Sequence, residues 1–150
     1  MKLKISLLIV TLLVQMSVQS QDKPKWDVNN PPGKYTEVSF TIDEGTWMNI
    51  DVSPDGKTIA FDLLGDIYTM PVSGGEATCI RSGLAWEVQP RWSPDGKMIL
   101  FTSDSGGGDN IFRMKPDGSE VTQITKESFR LLNNAEWTPD GMYIIARKHF

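Results

Sequence analysis

The sequence predicts an all-β chain, a partial β-propeller of four-stranded antiparallel blades, and two observations carry that expectation. A tetrapeptide recurs as Ser53-Pro54-Asp55-Gly56, Ser93-Pro94-Asp95-Gly96 and Thr138-Pro139-Asp140-Gly141, at intervals of 40 and then 45 residues. Each copy lies between two strand-like runs: Met48 to Val52 and Thr58 to Phe61, Val88 to Trp92 and Met98 to Phe101, Asn134 to Trp137 and Tyr143 to Ala146. A repeat of this length with four strands in each unit is the WD-type spacing of propeller blades.

The tetrapeptide is expected to close a hairpin. Ser or Thr suits the first turn position, Pro presets φ near −65° at the second, Asp suits the third, and Gly takes the left-handed conformation that completes the turn. Asp55, Asp95 and Asp140 are therefore read as turn residues rather than catalytic carboxylates. A second hairpin follows in each unit. Asp66 to Met70 and Asp109 to Met114 are the expected third strands, Pro71 to Gly75 and Lys115 to Gly118 the turns, and Glu76 to Ile80 and Glu120 to Thr125 the fourth strands.

Glu37 to Thr41 falls in the register of a fourth strand with no blade ahead of it, as does a strand that closes a ring of blades. The expected organisation is a signal peptide at 1–20, an extended Pro- and Asn-rich lead-in at 21–36 and an incomplete propeller at 37–150. Within it come a closing strand at 37–41, blades at 47–80 and 86–125, and a partial blade at 133–150, about two and a half blades plus the closing strand. Closed propellers need roughly 4 to 8 blades, so the chain is expected to be a piece of a longer product.

The opening Met1-Lys2-Leu3-Lys4 is basic, and Ile5 to Val14 is apolar apart from Ser6 and Thr11. This is the pattern of a Sec-type leader cut after Ser20, too short for stable membrane insertion. Export to the periplasm or the cell exterior is expected. Without Lys2 and Lys4, 13 basic residues face 19 acidic ones, a net charge of −6. That balance argues against a nucleic-acid partner. Cys79 is the only cysteine, so no internal disulfide is available.

Few residues offer chemistry. His149 is the sole histidine, so any histidine-based metal cluster or triad in this chain must use it; at a strand end it is read as inert or partner-facing. Cys79, on an expected fourth strand among apolar neighbours, is read as a small buried or half-buried hydrophobe. The loop Asp104 to Asn110 supplies Asp104, Asp109 and Asn110 as candidate calcium ligands around a glycine run, although a glycine-rich connection between strands needs the same residues. Trp47, Trp86, Trp92 and Trp137 recur near the blade starts and are expected to pack between blades. No catalytic and no cofactor-binding residue is assigned.

The run Asn49 to Phe61, followed by Asp66-Ile67-Tyr68, resembles TolB-like propeller repeats. That repeat occurs in periplasmic TolB proteins, in propellers fused to prolyl oligopeptidase-type serine peptidases, in tricorn-type proteases and ahead of amidohydrolase domains. The wider stretch from Trp26 to Phe150, including Trp26 to Gly33, Asp43 to Met48, Phe61 to Tyr68, Gly106 to Ile111 and Ala146 to Phe150, is similar to the N-terminal region of large exported amidohydrolases. The resemblance implies a downstream hydrolase domain of the same polypeptide, holding a zinc-type divalent metal that activates water. The propeller would be its scaffold or substrate gate. The alternatives are a TolB-like propeller that binds a protein partner on its face, and the propeller of a serine peptidase.

Overall fold

The computed structural model describes residues 26–150; the leader and the first part of the lead-in lie outside the described residues. Ten strands and no helix make up the described fold. In the first blade, β1 (Ile50–Val52), β2 (Thr58–Leu63), β3 (Asp66–Pro71) and β4 (Thr78–Arg81) form one antiparallel sheet in chain order. The second blade repeats this with β5 (Glu87–Trp92), β6 (Ile99–Ser103), β7 (Asn110–Met114) and β8 (Thr122–Gln123). A third sheet contains β9 (Leu132–Trp137) paired with β10 (Ile144–Lys148).

Chemistry internal to the repeat builds each first hairpin. In the first copy, Gly56 sits at φ 71° and its N–H donates to Ser53 O at 2.8 Å. The Ser53 hydroxyl donates to Asp55 Oδ1 at 2.6 Å and accepts from Thr58 N at 3.0 Å, while Lys57 N donates to the same Asp55 oxygen at 3.1 Å. Ser93 and Asp95, then Thr138 and Asp140, repeat the network. Each aspartate is thus committed to its turn, and these bonds hold all three carboxyls below their ordinary value. The turns also stack. A Cβ on Gly96 would lie 3.7 Å from Pro54 Cδ, and one on Gly141 3.8 Å from Pro94 Cδ.

The alternation of strand side chains sends one set toward each neighbouring blade. Ala60 and Ile67 of the first blade meet Ile99, Phe101, Phe112 and Met114 of the second, with Ile80 and Trp92 at the margin. Leu100 and Ile111 on the other face of the second blade meet Ala135, flanked by Leu132, Trp137, Ile144 and Ala146 of the third sheet. The cores are therefore the seams between blades. Gly118 marks the tightest approach, because a Cβ there would lie 1.9 Å from Ile80 O of the first blade.

Three expectations change. Glu37–Thr41 is exposed and has no strand assignment; a strand needs a partner for its ladder hydrogen bonds, and none of the described strands pairs with it. Cys79 is exposed rather than buried, because it lies on the outermost strand of the first blade, on a sheet face that no other described sheet covers. Trp47 does not pack between blades, being 100% exposed, and Trp86, 57% exposed, lays its ring over Gly65 of the first blade rather than burying it in the seam. Trp92 and Trp137, one residue ahead of the turn, do pack there.

Candidate functional site

The hairpin order places all the Pro-Asp-Gly turns on one rim of the stacked blades. The β2–β3 and β6–β7 connections and the links between blades lie on the opposite rim. The two blades differ most on this second rim: Leu64-Gly65 makes a two-residue turn between β2 and β3, while Asp104 to Asp109 fills the homologous space before β7.

The calcium candidates Asp104 and Asp109 lie in that longer loop, and Asn110 opens β7 directly after it. Asn110 is buried, and its side chain is fully used: Nδ2 donates to Gly108 O at 3.0 Å and Glu127 O at 2.9 Å, and Oδ1 accepts from Thr125 Oγ1 at 2.8 Å and Glu127 N at 2.7 Å. It ties the loop to the link that follows β8. Asp104 Oδ1 accepts from Trp86 N at 2.8 Å. Burial pushes the Asp109 carboxyl up, the Asp104 charge adds to this, and His149 opposes it. Among the described residues no three His, Cys, Asp or Glu side chains are placed to share a metal ion.

His149 stands at the end of the third sheet, exposed, with Nε2 3.4 Å from Asn133 Oδ1 and its backbone N–H donating to Leu131 O at 3.1 Å. Beside it, Glu127 caps three backbone N–H groups, of Ser128, Phe129 and Arg130, and is paired with Lys148. Lys148 and the N–H groups of Phe129 and Arg130 hold its carboxyl down at about 2. The lead-in reaches the same rim, where Asn29 Nδ2 donates to Ser105 O at 3.1 Å.

The polar groups that act across seams were not legible as such in the sequence. Asp62 Oδ2 accepts from Gln89 N of the second blade at 2.6 Å, and Asp51 Oδ2 accepts from Trp92 N at 2.7 Å. At the next seam Gln89 Oε1 accepts from Asn134 N at 2.8 Å, and Arg91 pairs with Glu136 at 2.7 Å. Gln89 and Asn134, each four residues ahead of the turn, have left-handed φ values of 60° and 51°, which turns their N–H groups out of their own ladders toward the preceding blade. Among the described residues the most buried ionisable group, Glu87, also crosses a seam: its Oε1 accepts from Arg81 Nε at 2.8 Å. Aligning the repeat offers a signal for it, because Trp47 and Leu132 occupy the same position six residues ahead of the turn.

The geometry is that of stacked blades with polar rims, and known proteins share it. Residues 32–149 match the family model described as TolB beta propeller domain. A putative TolB of Agrobacterium tumefaciens superimposes with a TM-score of 0.64 at 29% identity, over 71% of this chain and 40% of that one. TolB of Acinetobacter baumannii gives a TM-score of 0.59 at 30% identity, over 71% of this chain and 27% of that one. An uncharacterised protein of Agrobacterium fabrum is 35% identical over 91 residues, which is 58% of this chain and 29% of the relative. The uncharacterised peptidase YuxL of Bacillus subtilis is 46% identical over 86 residues, covering 52% of this chain and 13% of the relative. This chain thus spans less than a third of either curated relative. With its repeat, its sheets and more than half of its length in agreement, the chain belongs to the TolB β-propeller domain family.

Proposed function

We propose that this chain is the propeller module of an exported metal-dependent amidohydrolase, supporting or gating a hydrolase domain on the same polypeptide. The observation that carries the modular part is length: the match covers only 13% of a relative described as a peptidase and 8% of a tricorn protease homologue of Streptomyces coelicolor. Segments similar to these blades thus occur within much longer proteins named as a peptidase and a protease. The amidohydrolase identity rests on the resemblance of Trp26 to Phe150. The metal it implies finds no ligand set among the described residues, so no catalytic step is assigned to them. Export rests on the basic and apolar opening from Met1 to Val14.

The propeller of a peptidase is the second reading, favoured by the names of the YuxL and tricorn relatives; that it is a serine peptidase rests on the resemblance alone. The third is a binding propeller without enzyme activity, favoured by the likeness to two TolB structures. Sequencing the gene beyond codon 150 and assaying the full-length product against amides and cyclic amides, with and without a chelator, separates them. A His-x-His barrel with chelator-sensitive hydrolysis supports the proposal. A Gly-x-Ser-x-Gly elbow with chelator-insensitive peptide cleavage replaces it with the second reading, and a product of blades alone that hydrolyses nothing leaves the third. Sequencing the N-terminus of the exported protein tests the cut after Ser20.

A further inference from the structure

The seam between the first two blades is lined by Ala60, Ile67, Ile99, Phe101, Phe112 and Met114, and one carboxylate is sealed at its edge. Glu87, the first residue of β5, is 0% exposed and anchored by its N–H to Gly65 O of the first blade at 2.9 Å. Oε1 accepts from Arg81 Nε at 2.8 Å and has Ser103 Oγ at the limit of hydrogen bonding, 3.5 Å away. Oε2 is buried with no partner. A carboxylate oxygen removed from water and left unpaired costs free energy that a single ion pair does not restore. The repeat does not demand this residue, since the same position is apolar in Trp47 and Leu132.

The charged groups that act on Glu87 lie on two strands of the first blade. Arg81 ends β4 with its side chain partly in water, and Asp66 begins β3 and adds a like charge. Burial pushes the Glu87 carboxyl above its ordinary value of 4.5, Arg81 pulls it back, and Asp66 pushes it further up. Neutralising the side chain removes the cost of the unpaired charge, and Oε1 can still accept from Arg81.

We propose that Glu87 makes the seam between the first two blades proton-linked, so that Oε2 takes up a proton on mild acidification and the seam tightens while the contact with Arg81 persists. Because the folded carboxyl binds its proton more tightly than the unfolded one, stability rises as pH falls through the raised folded value and stops rising below the ordinary one. Each unit between the two values multiplies the folding constant about tenfold.

The test follows urea unfolding of the full-length chain by tryptophan fluorescence between pH 5 and 8, for wild type and Glu87→Gln. Asp66 and Asp109 are pushed in the same direction, so the readout is the difference between the two proteins. The wild-type midpoint should climb toward pH 5 more steeply than that of the variant; equal slopes would overturn the proposal. Carboxyl 13C titration of Glu87 in the wild-type chain needs no variant to fold. An inflection above 4.5 supports the proton-linked seam, and one at or below 4.5 refutes it.

Discussion

The first and second blades carry nearly the same apolar residues in the same register but bury them to different extents. Ile99, Phe101, Phe112 and Met114 of the second blade are sealed against the first. Their counterparts Ile59, Phe61, Tyr68 and Met70 face the other way, and of these only Phe61 is buried. The Phe61–Tyr68 and Phe101–Phe112 rings stack alike, with centroids 5.6 Å apart in each pair, so the pairing inside a blade is local while the burial comes from a neighbour. A blade is thus a unit of hydrogen bonding but not a unit of core, as in repeat proteins whose stability lies in the interfaces between units.

The comparison is broken most directly at an isoleucine pair. Ile99→Ala should cost about 2–5 kcal/mol, the range for emptying a sealed core site, and Ile59→Ala distinctly less; equal losses in urea unfolding would show that the two blades are packed alike. The glycines of the second hairpins come next. Gly118→Ala must displace Ile80 O as well as adopt φ 82°, whereas Gly74 sits at φ 86° in open space. Gly74→Ala should cost about 1 kcal/mol for the left-handed backbone alone, and Gly118→Ala clearly more, with the seam disturbed in amide exchange near Ile80.

The turns, by contrast, should behave identically in the two blades. Ser53→Ala and Ser93→Ala each free a backbone N–H just past the turn, of Thr58 or Met98, and should each lower stability by about 1 kcal/mol; a large inequality would mean that the turn rim, too, differs between blades. The smallest effect is in acid. The carboxyls of Asp55, Asp95 and Asp140 are held down by Ser or Thr hydroxyls, so their contribution is complete above their ordinary value of 3.8 and fades as pH falls through the lowered folded values. Thermal melts below pH 4 should show a decline shared by all three turns and opposite in sign to the effect of Glu87.

Strand order, hairpin positions and turn chemistry were legible because they depend on residues near one another in sequence. A Ser-Pro-Asp-Gly segment carries its own hydrogen-bond partners, and alternating apolar runs report which face of a strand is buried. The candidate site was less legible. Asn110 reads as a metal ligand in a glycine-rich loop until Thr125 and Glu127, fifteen and seventeen residues away, are seen to occupy its amide.

The sequence by itself determined the repeat, the four-stranded blade and the rim on which each turn lies, since backbone dihedral preferences and side-chain alternation are local. Only the tertiary structure decided which copies of a repeated residue are buried, why Cys79 is exposed and Ile99 is not, and that Glu87 is sealed against Arg81. These depend on which blade stacks on which face, and desolvation is a property of the seam rather than of the residue.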